Sequence, residues 1–143
     1  MCRPLVRLGT ALLVGLALVT VSAAVQDHAQ GPHRHAEGEQ LINAIARTPE
    51  SIKAGAALYA KSCSNCHGPN GLGNGRLAPA MAAYGGRPSN LTDSEWQHGS
   101  SDGEIFLVIR DGVGPDFHMP LFKGKLTDEE MWHVVNYVRS LGI

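Results

Sequence analysis

The segment Cys63-Ser64-Asn65-Cys66-His67 constrains this chain more than any other, because two thiols separated by two residues and followed at once by an imidazole bring three reactive groups onto one turn of backbone. A C-x-x-C pair can be a redox disulfide, half of a zinc site or the attachment point of a c-type haem, and the residue after the second Cys discriminates among them. With a His in that place, each thiol can add to one haem vinyl group to form a thioether, and His67 is held where its ring nitrogen reaches the iron. A thioredoxin-like dithiol expects a β-α-β setting, and no alternating strand run is present here. One motif implies one haem c with its iron, covalently bound through Cys63 and Cys66; di-haem peroxidases and multihaem wires need a second motif.

Export fits a cofactor that cannot dissociate. Arg3 and Arg7 precede an uncharged run from Leu8 to Val25 that ends in Ser22, Ala23 and Ala24, the order of a secretory signal. Residues 1–24 are therefore expected to be removed, with a mature start near Ala24 or Val25. The competing reading is an uncleaved anchor, because 18 uncharged residues lie at the lower limit for spanning a bilayer. The location expected is periplasmic or secreted, or membrane-anchored facing the periplasm. Cys2 precedes the apolar run, which argues against a lipoprotein, and its removal leaves only Cys63 and Cys66. Removing Arg3 and Arg7 from 12 basic residues leaves 10 against 13 acidic ones, a net charge of −3. That balance suggests neither a nucleic-acid partner nor a strongly basic docking face.

A length of 143 residues is one domain's worth, and 43% hydrophobic with 17% charged residues is a globular profile. Aromatics are scarce at 6% while Gly counts 17, so the side chains offer few large pieces for an interior. The haem would supply the missing volume, and the apoprotein should fold poorly. Residues 25–47 are polar and aperiodic and read as a flexible leader; its His28, His33 and His35 are taken as solvated rather than metal-binding. The domain proper is expected over 48–143.

Within it, Thr48-Pro49-Glu50 starts a helix whose Ile52, Gly55, Ala56 and Tyr59 repeat at helical spacing. Ser101 with Glu104 and Thr127 with Glu130 form two capping boxes. Ile105, Val108 and Ile109 follow the first, with Gly112 as its stop; Met131, Val134, Val135 and Val138 follow the second. Residues 68–90 are crowded with Gly and Pro, which forbids long elements; without a preceding strand or a following Gly-Lys-Ser/Thr they are no phosphate loop. The class is all-α, three main helices joined by glycine-rich loops wrapped around the haem.

The sixth iron position has five candidates: Met81, Met119, Met131, His98 and His118. Met131 lies on the apolar stripe of the last helix and reads as core. Met81 sits in the glycine-rich loop with nothing to pin it. Pro120 restricts Met119 to an extended backbone, which suits a ligand projecting from a loop; Met119 is preferred, with His118 as the alternative.

At this point the chain resembles the class I cytochrome c family of small bacterial monohaem carriers, over roughly Thr48 to Ile143. The resemblance rests on Cys63-Ser64-Asn65-Cys66-His67-Gly68 with Gly71, Gly73 and Gly75, on Arg87-Pro88-Ser89-Asn90-Leu91-Thr92, on Met119-Pro120 and on the helix Leu126 to Leu141. It implies the cytochrome c fold and an electron carrier rather than an enzyme, cycling between Fe(III) and Fe(II) with His67 and Met119 as axial ligands. It further implies that the first and last helices cross where Gly55 meets Tyr137, with Trp132 nearby. The proximal His would donate to a backbone carbonyl in the following loop, for which Pro79 is the candidate, although Arg76 stands where many relatives carry Pro. Trp96 and Arg87 are candidates for the haem propionates. Partners would be redox protein donors and acceptors meeting an exposed haem edge through transient contacts, with a membrane involved only if the N-terminal segment is retained. The alternative is a haem c subunit of a membrane-associated dehydrogenase or oxidase complex, for which residues 26–47 are the only candidate docking segment. A gas sensor or haem enzyme with an open sixth site would leave Met119 unbound, and a structural zinc protein would carry no haem.

Overall fold

The computed structural model describes residues 35–114 and 119–142. The expected signal or anchor over 1–24, the leader histidines His28 and His33, and His118 lie outside them. Helices α1 (Pro49–Ser62), α2 (Ser64–His67), α3 (Ala78–Ala83), α4 (Asp102–Asp111) and α5 (Asp128–Leu141) follow a 3-10 turn, Ala36–Gln40. Among the described residues there is no strand, only isolated bridges pairing Val113 with Met119 and Lys123 with Leu126. The class is all-α, as expected; α1, α4 and α5 are the main helices, and α2 and α3 are short pieces within the loops.

The helix starts follow from their capping residues. Thr48 Oγ1 accepts from the Ser51 N–H at 3.2 Å, with Pro49 entering the first turn. Both capping boxes close: the Glu104 and Glu130 N–H groups donate to Ser101 Oγ (3.1 Å) and Thr127 Oγ1 (3.2 Å), and the two carboxylates accept from the cap N–H groups at 2.9 and 2.8 Å. Each box satisfies donors the helix cannot pair itself and places negative charge at its positive end, a contribution of about 1 kcal/mol per cap.

Helices α1 and α5 make the most extensive contact in the fold, and Gly55 is where they touch. A Cβ there would stand 2.6 Å from the His133 carbonyl carbon and 2.9 Å from Tyr137 Cβ. One turn on, the Tyr59 and Tyr137 rings pack with centroids 5.0 Å apart. The buried face is Ser51, Gly55 and Tyr59, shifted from the expected Ile52 stripe. A serine can occupy that place because its hydroxyl meets His133 Nδ1 at 2.8 Å and accepts from Asn136 Nδ2 at 2.8 Å.

Helix α4 is buried nearly all round, which its expected stripe of Ile105, Val108 and Ile109 does not foretell. Phe106 stacks on Trp132 of α5 with centroids 4.2 Å apart. Residues 35–47, expected as part of a flexible spacer, cover another side of α4. A Cβ at Gly38 would lie 2.8 Å from the Glu104 backbone, and His35 is buried. Further along, Asn43 Nδ2 donates to Asn136 Oδ1 at 2.8 Å, and Asn136 Nδ2 donates to the Ile45 carbonyl at 3.1 Å. This strap docks through glycine approach and amide hydrogen bonds, neither of which leaves an apolar period in the sequence.

Candidate functional site

The Cys63 N–H continues α1 by donating to the Tyr59 carbonyl at 2.8 Å, and the His67 N–H donates to the Cys63 carbonyl at 3.0 Å, closing the turn of α2. This geometry sets Cys63, Cys66 and His67 on the wall of one partly open cavity of about 490 Å³. Ile105, Val108 and Ile109 of α4 and Val134 and Val138 of α5 supply apolar walls. Protein interiors hold few voids larger than a water, so an apolar space of this size, walled by two free thiols and an imidazole, fits a bulky apolar group bound by those three side chains. A haem meets that description.

Burial, reinforced by the neighbouring Cys66, pushes the Cys63 thiol up to about 11. Redox dithiols work with a lowered thiol pKa, so the shift runs against that chemistry. Burial holds His67 below the ordinary imidazole value, opposed by its hydrogen bond to Ser89. The ring is therefore neutral at physiological pH. Its Nδ1 lies 3.0 Å from the Ser89 carbonyl oxygen, which places the proton on Nδ1 and leaves Nε2 as the lone-pair nitrogen a metal requires.

The expected acceptor for His67 was the Pro79 carbonyl, and here the structure corrects the sequence: Ser89 takes that place. Pro79 is drawn into α3, while glycines let the later segment lie against the motif. Gly73, at φ +69°, would carry a Cβ 3.2 Å from the Ser89 carbonyl carbon, and the Leu91 N–H donates to the Gly71 carbonyl at 2.6 Å. A second contact absent from the sequence reading is Tyr59 Oη, which donates to the Gly68 carbonyl at 2.7 Å. Burial, with Cys63 and Tyr137 alongside, raises this phenol far above its ordinary value, so it remains a donor.

Of the five candidates for the sixth position, Met81, His98 and Met119 line the cavity. Met131 is 1% exposed in the core, as its helical position implies. Met81 is not the unpinned loop residue expected: it lies in α3, its N–H donates to the Leu77 carbonyl and its own carbonyl accepts from the Tyr84 and Gly86 N–H groups, each at 3.0 Å. The Met119 carbonyl accepts from the Val113 N–H at 3.0 Å, and Gly112, at φ +76°, passes so close that a Cβ would lie 2.6 Å from that oxygen. Trp96 and Arg87 also border the cavity, where both were expected.

Residues 50–138 match the family described as cytochrome c oxidase, cbb3-type, subunit III. The chain is 35% identical over 89 residues to a cbb3-type cytochrome c oxidase subunit FixP of Bradyrhizobium sp. (strain ORS 278), a match covering 62% of this chain and 27% of that protein. It is 33% identical over 94 residues to the cytochrome c subunit of a quinone alcohol dehydrogenase of Gluconobacter oxydans (strain 621H), covering 61% of this chain and 18% of that one. Among solved structures it is similar to a c-type cytochrome, KustC0563, with a TM-score of 0.50 and 35% identity over 62% of this chain and 98% of that one. The chain thus spans between 18% and 27% of these two curated relatives and nearly all of the solved cytochrome.

Proposed function

The chain belongs to the cytochrome c oxidase cbb3-type subunit III family and carries haem c, and on that premise we propose that it is the electron-transfer subunit of a membrane-associated oxidase or dehydrogenase complex. The convergence of Cys63, Cys66, His67 and Met119 on one apolar cavity carries the haem part of this reading. Cys63 and Cys66 would hold the group through thioethers, His67 would offer Nε2 to the iron, and Met119 would offer its thioether sulfur. When bound, the haem supplies a one-electron couple, Fe(III)/Fe(II). His67 keeps its Nδ1 proton on the Ser89 carbonyl, which fixes the ring and makes it a more basic ligand. The neutral thioether of Met119 favours the reduced state and raises the potential relative to a second imidazole. Ile105, Ile109, Val134 and Val138 keep water from the group.

The subunit assignment is supported by the relatives, an oxidase subunit and a dehydrogenase subunit. No helix among the described residues is long and apolar enough to cross a membrane, so attachment in this reading rests on residues 8–25 or on a partner. A free periplasmic carrier is the second reading, favoured by the match that covers 98% of KustC0563, where a unit of this size makes nearly the whole chain. Two measurements separate these. Absorption spectra of the purified protein, oxidised, reduced and reduced under carbon monoxide, should show a sharp c-type band that carbon monoxide leaves unchanged; a shift would remove Met119 from the iron. Native electrophoresis of solubilised membranes, stained for haem, should find the chain in a high-mass band; haem confined to the soluble fraction at the chain's own mass would establish the free carrier instead.

A further inference from the structure

Trp96 borders two spaces. One is the haem cavity; the other is a surface cleft that Arg47, Asp93, Asp102 and Arg139 also border. Arg139 borders the cleft and not the cavity. Its guanidinium carbon lies 5.3 Å from the centroid of the Trp96 ring, within reach of a cation–π contact. Two further contacts fix that cation: Nε donates to Asp102 Oδ1 at 2.6 Å, and Nη2 donates to the Ser100 carbonyl. Asp102 is the first residue of α4 and Arg139 lies in the last turn of α5, so the pair ties two helix ends together across the 92–100 loop that carries Trp96. Both charges also sit at the helix ends whose dipoles favour them.

A long flexible side chain held at three points, with its charge laid on an aromatic wall of the redox cavity, is more than a surface ion pair. We propose that Arg139 is a positioning residue of the haem site: it clamps Trp96 against the cavity and places a fixed positive charge behind that wall. A cation there stabilises the less positive iron, Fe(II), and Asp102 offsets it in part. Arg87, Glu95 and His98 border the cavity directly, and Arg47 and Asp93 share the cleft. The inference rests on haem occupying the cavity, as proposed above.

The test is a spectroelectrochemical titration of the intact haem protein at low ionic strength, for the wild type, Arg139→Met, Arg139→Lys, Asp102→Asn and the Arg139→Met/Asp102→Asn pair. At the wild-type midpoint, Arg139→Met should shift the iron several-fold toward Fe(III) and Asp102→Asn should shift it the opposite way. The double variant should return close to wild type. Arg139→Lys, which keeps the charge and loses the planar fork, should fall between wild type and Arg139→Met. Thermal unfolding of the same set separates structure from tuning: variants that lose stability while the Fe(III)/Fe(II) ratio stays within two-fold of wild type overturn the proposal. Should Arg139→Met fail to accumulate, Asp102→Asn reads the same charge with the clamp residue intact, and an unmoved ratio there overturns it as well. A wild-type protein with no c-type band would overturn the haem reading itself, and this inference with it.

Discussion

Gly55→Ala places one methyl group between α1 and α5 and tests the helix crossing on which the cavity depends. Its Cβ would collide with the His133 carbonyl oxygen and lie 2.6 Å from the carbonyl carbon, where ordinary contact begins at 3.4 Å, so the helices must part by more than about 0.8 Å. The obstacle is backbone and cannot rotate aside. Overpacking of this kind costs roughly 1–3 kcal/mol, and the upper part of that range applies because the displaced contact is the most extensive in the fold. Alanine returns about 1 kcal/mol of helix propensity, leaving a net loss of about 2 kcal/mol. The control is Ala57→Gly, on the exposed side of the same helix, which changes propensity alone and should cost about 1 kcal/mol. Guanidinium unfolding of the haem protein, followed by far-ultraviolet dichroism, should show both midpoints lowered at constant slope, with Gly55→Ala the lower. A Gly55→Ala protein as stable as wild type, or more so, would mean that propensity outweighs contact and that the crossing is looser than described.

Other perturbations probe separate links. Asn136 is 1% exposed, accepts from Asn43 and donates to Ser51 Oγ and the Ile45 carbonyl; Asn136→Ala should cost about 3 kcal/mol through the buried partners it abandons. It should also speed amide exchange over 40–47, and unchanged exchange there would show that the strap is held otherwise. Asp111 is held below its ordinary 3.8 by hydrogen bonds from Arg110. Its contribution is complete above pH 3.8, is lost as pH falls through the lower folded value, and amounts to under about 1 kcal/mol because the pair is partly exposed. Stability profiles of wild type and Asp111→Asn should therefore converge toward pH 2 and separate above pH 4; parallel profiles would contradict the assignment. Gly73→Ala pushes a Cβ toward Pro88 and Ser89, lengthening the hydrogen bond that makes His67 basic. The reduction potential should rise, and a fall would reverse the role given to the Ser89 carbonyl.

The parts of this molecule legible in the sequence are those whose physics is local. Both capping boxes sit within four residues and closed as written. Cys63, Cys66 and His67 share one turn, so their spacing announces their purpose before any fold is known. Pro120 singles out Met119 in the sequence, because it restricts the backbone wherever the segment lies, and Met119 lines the cavity together with Met81 and His98. Asn136 was not: its partners stand 85 to 93 residues away, and an asparagine on an apolar helix carries no sign of whom it will meet. Nor does arginine at 139 announce that its partners will be the Asp102 carboxylate and the ring of Trp96.

The misplaced acceptor of His67 shows why half of a redox site can be plain in a sequence and the other half silent. The attaching half consists of side chains, each chemically distinct, and a reader of residue types finds it at once. The tuning half here is a main-chain carbonyl 22 residues further on, and every residue has one. Serine at 89 therefore says nothing about the role of its own oxygen, and another side chain could stand there with the same effect on the imidazole. The information lies instead in what lets that carbonyl approach: Gly73, where a side chain would collide with the Pro88 carbonyl oxygen and press on Ser89, and Gly71, whose carbonyl ties down Leu91. Substitutions at these glycines should accordingly move the reduction potential more than substitutions at Ser89 itself, and at Gly73 they act doubly, because its N–H also donates to the His67 carbonyl at 2.8 Å.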